Sequence, residues 1–476
     1  MELTGNVNLP GQFDLQGQRV LVVGLARTGV ATALFCAAHG ARVTATDAQS
    51  ADRLSDALKK LQPAGVACDV GAHSQEIFLE QDLIVVSPGV PADAAPLLAA
   101  RAKGITIWSE IELASRFLRG KLIGITGSNG KTTTTSLVAH ILRSAGFPAI
   151  LAGNIGTPLI ACVEDSRENT WTVTELSSFQ LELTDTFRPD ISAFLNLTPD
   201  HLDRHRTMEA YGAAKAKIFA NQSATDCAVL NADDAATVPH APKGPALYWF
   251  SRKEAVKQGA FLRDGEIVFR REGREQSILR VKDIPLVGAH NLENVLAAVV
   301  ITLLAGAQAE AVASAVKTFT GVDHRLEFVA EIGGVQYYND SKATNVDATQ
   351  KALESFDGRI IVILGGKDKD SDYRTLRKDL RERVVRALLI GAAAEKIASH
   401  VAGSVDVEMV GTLERAVVRA EQIARSGDTV LLAPACASFD QFENYEHRGR
   451  VFKDLVHKLA ERAAVSQSAA PLPAGK

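Results

Sequence analysis

Short apolar runs alternate along the chain with stretches whose apolar positions recur every three to four residues. The first kind predicts buried strands and the second predicts helices with one buried face. Arg19-Val20-Leu21-Val22-Val23-Gly24 reads as a strand running into a glycine turn, with further strands at Arg42–Thr46 and Leu83–Ser87. A second series opens at Lys121–Thr126 and continues at Trp171–Glu175, Ile191–Leu197 and Ala228–Asn231. A third follows Gly321-Val322-Asp323, with strands near Val335–Asn339, Arg359–Leu364, Ala387–Ile390 and Thr429–Leu432. Regular alternation of the two signals implies mainly parallel sheets with helices on their faces. The stretch Ala246–Ile284, with Phe261, Ile267 and Phe269 among charges, reads instead as short antiparallel strands inserted in the second series. The longest apolar run, Val295–Ala307, contains Thr302 and reads as a buried helix. The Ala/Pro/Ser-rich tail Ala463–Lys476 reads as disordered.

Composition narrows the class. A chain of 476 residues allows two to four domains, at roughly 100–200 residues each. With 46% hydrophobic and 23% charged residues it is an ordinary globular composition. Lys+Arg 52 against Asp+Glu 56 leaves a net charge of −4, without the basic excess of a dedicated nucleic-acid binder. A local basic pocket for phosphates remains compatible with that balance. No apolar run approaches the roughly 20 residues of a membrane span. Met1–Gln18 lacks the basic and apolar regions of a signal peptide. The five cysteines, Cys36, Cys68, Cys162, Cys227 and Cys436, are scattered and form no CxxC pair. That disfavours a zinc site or a disulfide framework and points to a reducing cytoplasm. Cys436 reads as a small buried side chain rather than a nucleophile, because no base is placed beside it by sequence. A monomer that meets neither nucleic acid nor membrane is the simplest expectation.

Thr126-Gly127-Ser128-Asn129-Gly130-Lys131-Thr132-Thr133 is the most informative stretch. It follows an apolar strand and precedes a helical pattern (Leu137, Val138, Ile141, Leu142). Glycines let backbone N–H groups turn toward a phosphate, and the following helix N-terminus favours negative charge. Lys131 would reach the β- and γ-phosphates and Thr132 would touch Mg²⁺. The strict Walker spacing fails, since Ile125 stands where its first glycine belongs. Gly24-Leu25-Ala26-Arg27-Thr28-Gly29 also joins a strand to a helix pattern, and Asp47 follows 23 residues after Gly24. It lacks the middle glycine of a dinucleotide fingerprint, so a nucleotide phosphate and a structural tight turn both stay open. The expected architecture is α/β in three domains. They are a Rossmann-like domain over residues 1–118, a central P-loop ATPase-like domain with a small antiparallel insertion over 119–321, and a doubly wound α/β domain over 322–476.

Four further places carry chemistry. Glu175 ends a predicted strand in the P-loop block, where a carboxylate can hold Mg²⁺; an exposed strand-end Glu is the bland alternative. Asn196-Leu197-Thr198-Pro199-Asp200-His201-Leu202-Asp203-Arg204-His205 sets two histidines and two aspartates within six positions. A metal or substrate site and a polar capped loop remain equal readings. Lys215 falls on the apolar stripe of Tyr211, Ile218 and Phe219. Its ammonium either snorkels to water or is buried beside an anion or after modification. In the third block, Asn339–Asn345, Gly365–Asp370 and Pro434–Ser438 follow predicted strand ends. Those ends line the ligand crevice of a doubly wound sheet, where lysines and hydroxyls suit a carboxylate or a phosphate.

Thr126–Thr133, Glu175–Gln180, Asp200–Asp203, His290-Asn291-x-x-Asn294, Asp323–Arg325 and Asp340–Asn345 together resemble the Mur ligases, ATP-dependent amide-forming enzymes of peptidoglycan synthesis. The set spans nearly the whole chain. Within that family, Gly153–Gly156, Tyr211–Lys215 and Pro434–Phe442 look like the members that add D-glutamate to UDP-N-acetylmuramoyl-L-alanine. The resemblance implies that the first domain binds the UDP end of the muramyl substrate, the second ATP and the third the amino acid. It puts Thr28, Asp47 and Ser87 on the uridine diphosphate, with Gln49 departing from the basic residue familiar there. Gly127, Ser128, Asn129, Gly130, Lys131, Thr132, Thr133, Asn291, Asn294, Arg325 and Asp340 would bind ATP. Thr132, Glu175, His201 and a carbamylated Lys215 would hold Mg²⁺, in two ions, with Asn154 and Ser177 near them or the substrate. Lys342, Thr344, Lys369 and Ser438 would hold glutamate, with Tyr445 standing where a phenylalanine is familiar. Lys131, Glu175, His201, Lys215 and Lys342 would carry the catalysis.

Another Mur ligase or a folylpolyglutamate-type ligase is the alternative within that superfamily. From other classes, the Gly24 loop allows a nicotinamide-dependent oxidoreductase, which leaves Gly127–Thr133 unexplained. A nucleotide-binding switch needs none of the third-block lysines.

Overall fold

The computed structural model describes residues 13–468. Three sheets follow one another along the chain, each flanked by helices. The first contains β1 (Arg19–Val23), β2 (Arg42–Asp47), β3 (Ala67–Val70), β4 (Leu83–Val86) and β5 (Thr106–Ser109), all parallel, in the order β3-β2-β1-β4-β5. β1 is a continuous apolar run because both its faces are covered. Val20 and Val22 pack with Leu25 and Phe35, and Leu21 and Val23 pack with Phe78 and Leu97. β3 and β5 have no counterpart in the sequence-based assignment: both are four residues long and sit at the sheet's edges.

The second sheet has nine strands. They are β6 (Lys121–Thr126), β7 (Ala149–Gly153), β8 (Trp171–Glu175), β9 (Ile191–Phe194), β10 (Cys227–Asn231), β11 (Ala246–Ser251), β12 (Gly259–Arg263), β13 (Glu266–Arg271) and β14 (Arg274–Arg280). Their order is β14-β13-β12-β11-β10-β9-β6-β8-β7. The antiparallel reading of Ala246–Ile284 is corrected in part. β11 pairs parallel with β10, β12 begins parallel to β11, and only β12-β13-β14 form an antiparallel meander. These strands also extend the main sheet rather than standing apart from it. The reason lies in β11, where Tyr248 and Phe250 are buried as in an interior strand. The helix Ala289–Leu304 is buried over Val295–Ile301, and the Thr302 hydroxyl is satisfied by donating to Ala298 O at 2.7 Å.

The third sheet contains β15 (Glu327–Ile332), β16 (Val335–Asn339), β17 (Ile360–Gly365), β18 (Val384–Ile390), β19 (Val407–Gly411) and β20 (Thr429–Leu432), in the order β15-β16-β20-β17-β18-β19. Only β15 is antiparallel. β20 lies between β16 and β17, so the ends of these three strands are neighbours. The closing helix Tyr445–Ser468 runs past Ala463, where the sequence suggested that a disordered tail begins. After Gly449, near its start, no glycine or proline falls in it before Pro471, and its alanines favour helix. The rest of that tail, like Met1–Gln12, lies outside the described residues. By compactness the chain forms two units. One runs through Asp283 and includes Glu293–Thr318; the other joins Ile284–Leu292 to the segment from Phe319 onward. Among the described residues no helix is long and apolar enough to cross a membrane.

Candidate active site

The loop after β6 is shaped by two glycines. Gly127 has φ +154° and Gly130, the N-cap of the helix Lys131–Ser144, has φ +81°. A Cβ on Gly130 would also run into the Asn294 amide oxygen. Gly130→Ala is therefore expected to cost about 1–2 kcal/mol for the left-handed backbone alone and to distort the loop. The melting temperature should fall and the KM for ATP should rise; a variant unchanged in both would contradict this account of the turn.

The loop is held from below by residues that sequence reasoning did not assign. The Asn129 N–H donates to Asn196 Oδ1 at 2.8 Å, and Asn196 Nδ2 donates back to Asn129 O at 3.1 Å. Ser128 Oγ donates to Thr198 O at 2.9 Å and accepts from the Thr198 N–H at 3.0 Å. The signal for both was their position at the end of β9, beside the strand that feeds the loop.

Two lysines meet on this loop. Lys131 Nζ donates to Gly127 O and Ser128 O, each at 2.8 Å. Lys215 Nζ donates to the same Gly127 O at 2.8 Å. The two nitrogens therefore lie no farther apart than twice that distance. Lys215 leaves the helix Met208–Ala216 pointing inward, 1% exposed, with its nitrogen 4.5 Å from the Tyr211 ring centroid. The snorkelling alternative is thereby excluded. Burial first, and then the Lys131 charge, hold its pKa well below the ordinary lysine value, against an opposing pull from Asp200 and Glu175.

Glu175 closes β8 and is 2% exposed. Its Oε1 accepts from Asn154 Nδ2 at 2.8 Å, while its Oε2 is buried without a hydrogen-bond partner among the described residues. A buried carboxylate oxygen with no donor suits a cation. The two histidines downstream separate. His201 has left-handed backbone at φ +53° and a half-exposed ring, with Nε2 3.6 Å from Asp200 Oδ2. His205 is buried: Nε2 is 2.9 Å from Ser178 Oγ and Nδ1 is 3.3 Å from Glu182 Oε1. His201 is therefore the histidine open to a ligand, and His205 packs the loop. Among the described residues no group of three or more His, Cys, Asp or Glu forms a ready-made metal cluster. Ser177 Oγ accepts from the Gln180 N–H at 3.2 Å in a capping box, which is a structural use of that hydroxyl.

In the first sheet, Asp47 Oδ2 accepts from the Leu25 N–H at 2.7 Å and Oδ1 from the Gln49 N–H at 2.9 Å. Ser87 Oγ donates to Gly24 O at 2.9 Å, and a Cβ on Gly29 would collide with that carbonyl. The loop thus needs its two glycines as a tight turn. Asp47 and Ser87 are joined to it at the carboxyl ends of β2 and β4. Thr28 lies at the start of the helix Arg27–Ala38.

The second unit carries the remaining candidates. Asp340 follows β16 and is buried; desolvation pushes its pKa up to about 6, against the pull of Arg325. Arg325 Nε is buried without a hydrogen-bond partner among the described residues. Asn291, in the same unit, donates from Nδ2 to Val287 O at 2.8 Å, whereas Asn294 belongs to the first unit and accepts from Thr134 Oγ1 at 3.2 Å. Lys342 Nζ lies 5.6 Å from the Tyr445 ring centroid. Ser438 is buried, Thr344 half-buried and Lys369 exposed. Their loops follow the adjacent strands β16, β17 and β20. Cys436 is buried, and desolvation raises its thiol to about 11, as expected of an inert cysteine.

Arg448 is a residue the sequence did not reveal. It is fully buried in the closing helix and has no carboxylate partner among the described residues. Instead it donates to Ser341 O at 2.8 Å, Ser341 Oγ at 2.9 Å and Cys436 O at 3.2 Å. It thereby ties the loop after β16 to the loop after β20.

Comparison with known proteins covers all three sheets. Residues 18–109 match the MurD-like N-terminal domain of Mur ligases, 125–302 the Mur ligase middle domain, and 324–436 the Mur ligase glutamate ligase domain. The chain is 55% identical over 457 residues to a UDP-N-acetylmuramoylalanine–D-glutamate ligase of Acidobacterium capsulatum, covering 95% of this chain and 99% of that one. It is 53% identical over 451 residues to the enzyme of the same name from Koribacter versatilis, covering 94% and 99%. In fold it is similar to the MurF ligase of Thermotoga maritima solved in complex with ADP. That match has a TM-score of 0.58 at 16% identity and covers 94% of this chain and all of that one.

Proposed function

The chain belongs to the Mur ligase family, and from that membership we infer that it joins D-glutamate to UDP-N-acetylmuramoyl-L-alanine at the expense of ATP, in peptidoglycan synthesis. The observation that carries the reading is the meeting of Lys131 and Lys215 on one loop carbonyl, in a domain where Glu175 keeps a buried oxygen without a donor.

A carboxylate is a poor electrophile, so the alanyl carboxylate must first be activated. Its oxygen attacks the γ-phosphorus of ATP, ADP leaves, and an acyl phosphate forms. The glutamate amine then attacks the acyl carbon, loses a proton, and expels phosphate from the tetrahedral intermediate. Two anions have to approach each other in the first step. The amides of Gly127–Thr133 and the Lys131 ammonium would cradle the phosphates and offset that charge, the main task of a protein in phosphoryl transfer. Arg325, with Asn291, Asn294 and Asp340, would complete the nucleotide contacts. Thr132, Glu175, His201 and a carbamate on Lys215 would hold Mg²⁺, which when bound neutralises phosphate charge. Asn154 would orient Glu175 through the hydrogen bond it donates. Thr28, Asp47 and Ser87 would bind the UDP end of the substrate. We assign residues 1–118 to that substrate, 119–321 to ATP and 322–476 to the amino acid, in a cytoplasmic monomer.

Lys342 and Lys369 with the hydroxyls of Thr344 and Ser438 suit a dianionic amino acid; a diamino acid would meet like charge. Ser438→Ala should raise the KM for glutamate several-fold more than the KM for ATP. Steady-state kinetics with D-glutamate, lysine and diaminopimelate would test both points. Equal effects on the two Michaelis constants, or preferred use of a diamino acid, would defeat this assignment.

A further inference from the structure

Tyr373 stands outside the proposed substrate contacts, yet it is fully buried between two loops that carry them. Its hydroxyl lies 2.7 Å from Asp368 Oδ1 and 3.0 Å from Cys436 Sγ. A carboxylate can only accept, so the single tyrosine proton goes to Asp368, and the thiol must donate to the tyrosine oxygen. Asp368 is fixed in turn by Lys396, 2.6 Å from Oδ2, and by the Ser371 N–H, 3.2 Å from Oδ1. The result is an ordered chain from Cys436 through Tyr373 to Asp368 and Lys396.

The position of this chain gives it a consequence for binding. Asp368 immediately precedes Lys369 in the loop after β17. Cys436 stands two residues before Ser438 in the loop after β20. The two loops also exchange backbone hydrogen bonds, Lys367 N to Ala437 O at 2.8 Å and Ala437 N to Lys367 O at 3.1 Å. Those bonds fix the loops at one point; the tyrosine hydroxyl fixes them at a second. Two fixed points prevent rotation of one loop against the other. We propose that Tyr373 is a positioning residue for amino-acid binding, setting the spacing of Lys369 and Ser438 through Asp368 and Cys436. The inference rests on the assignment of those two residues to glutamate.

Tyr373→Phe keeps the ring and deletes only the hydroxyl. A lost buried hydrogen bond corresponds to about a three- to tenfold change in an equilibrium, and here it should appear in the KM for glutamate. The KM values for ATP and for the muramyl nucleotide should stay within a factor of about two. Cys436→Ala breaks the same chain from its other end. The double variant should then raise the KM for glutamate less than the product of the two single effects, because coupled residues are not additive. Lys369→Ala and Ser438→Ala, measured alongside, test the underlying assignment. If those two raise the KM for glutamate and Tyr373→Phe does not, the proposal is overturned while the glutamate site stands. If Tyr373→Phe raises all three Michaelis constants alike, its role is merely structural and the proposal is equally overturned. If Lys369→Ala and Ser438→Ala leave glutamate binding unchanged, the site assignment itself falls.

Discussion

Lys215→Ala is expected to lose turnover by a hundredfold or more, on the order of what one charge-stabilising contact contributes, and to regain part of it when a short carboxylic acid is added. An ammonium at this position would share the Gly127 carbonyl with Lys131 and repel any Mg²⁺ near Glu175. Burial and the neighbouring cation both favour the neutral amine, the form that reacts with carbon dioxide. A carbamate reverses the charge and supplies oxygen ligands suited to a hard cation. Lys215→Arg should therefore stay inactive with or without added acid, since it keeps a cation where an anion is needed. Kinetics of the two variants with and without acetate check the idea. A fully active arginine variant, or a lysine carbamate signal absent from the wild-type enzyme after ¹³C-bicarbonate labelling, would sink it.

The second large effect belongs to Lys131. Its ammonium donates to Gly127 O and Ser128 O. ATP phosphates offer stronger acceptors, so the side chain is expected to leave those carbonyls for the nucleotide. Lys131→Ala should lower kcat by several hundredfold, about 3–4 kcal/mol of transition-state stabilisation. The protein should remain folded, because the loop keeps its bonds to Asn196 and Thr198. Circular dichroism and single-turnover ATP cleavage separate the two effects. Near-normal turnover in the alanine variant would remove the phosphate-loop assignment.

What could be read from sequence follows from where each signal originates. The strands β1, β4, β17 and β20 are dense apolar runs buried on both faces, and they stand out for that reason. The edge strands β3, β5 and β19 are short and partly polar, and β15 has apolar residues but none fully buried; none of these strands was visible. β11 was misread because a strand's direction depends on its partner, here β10, not on its own composition. The Gly127–Thr133 loop was legible since strand, glycines, lysine and helix all follow in one segment. Lys215 was legible as an anomaly on an apolar stripe, although only the fold shows that it reaches Gly127. Spacing alone did not separate His201 from His205, and only the resemblance chose His201, because their difference lies in contacts with Ser178 and Glu182 from another segment. Arg448 was invisible for a similar reason: its acceptors are carbonyls from loops distant in sequence, and carbonyls leave no residue signature. The resemblance put Asp47 on the uridine diphosphate; its two bonds to the Leu25 and Gln49 amides show that it builds the loop.

The central claim is that this chain activates one particular carboxylate with ATP and hands it to one particular amine. Phosphate release from ATP, measured with the muramyl nucleotide and D-glutamate together and with each omitted in turn, tests it most directly. The account predicts sustained release only when both substrates are present, with one amide formed per phosphate. Equal release without glutamate, or without UDP-N-acetylmuramoyl-L-alanine, would contradict it.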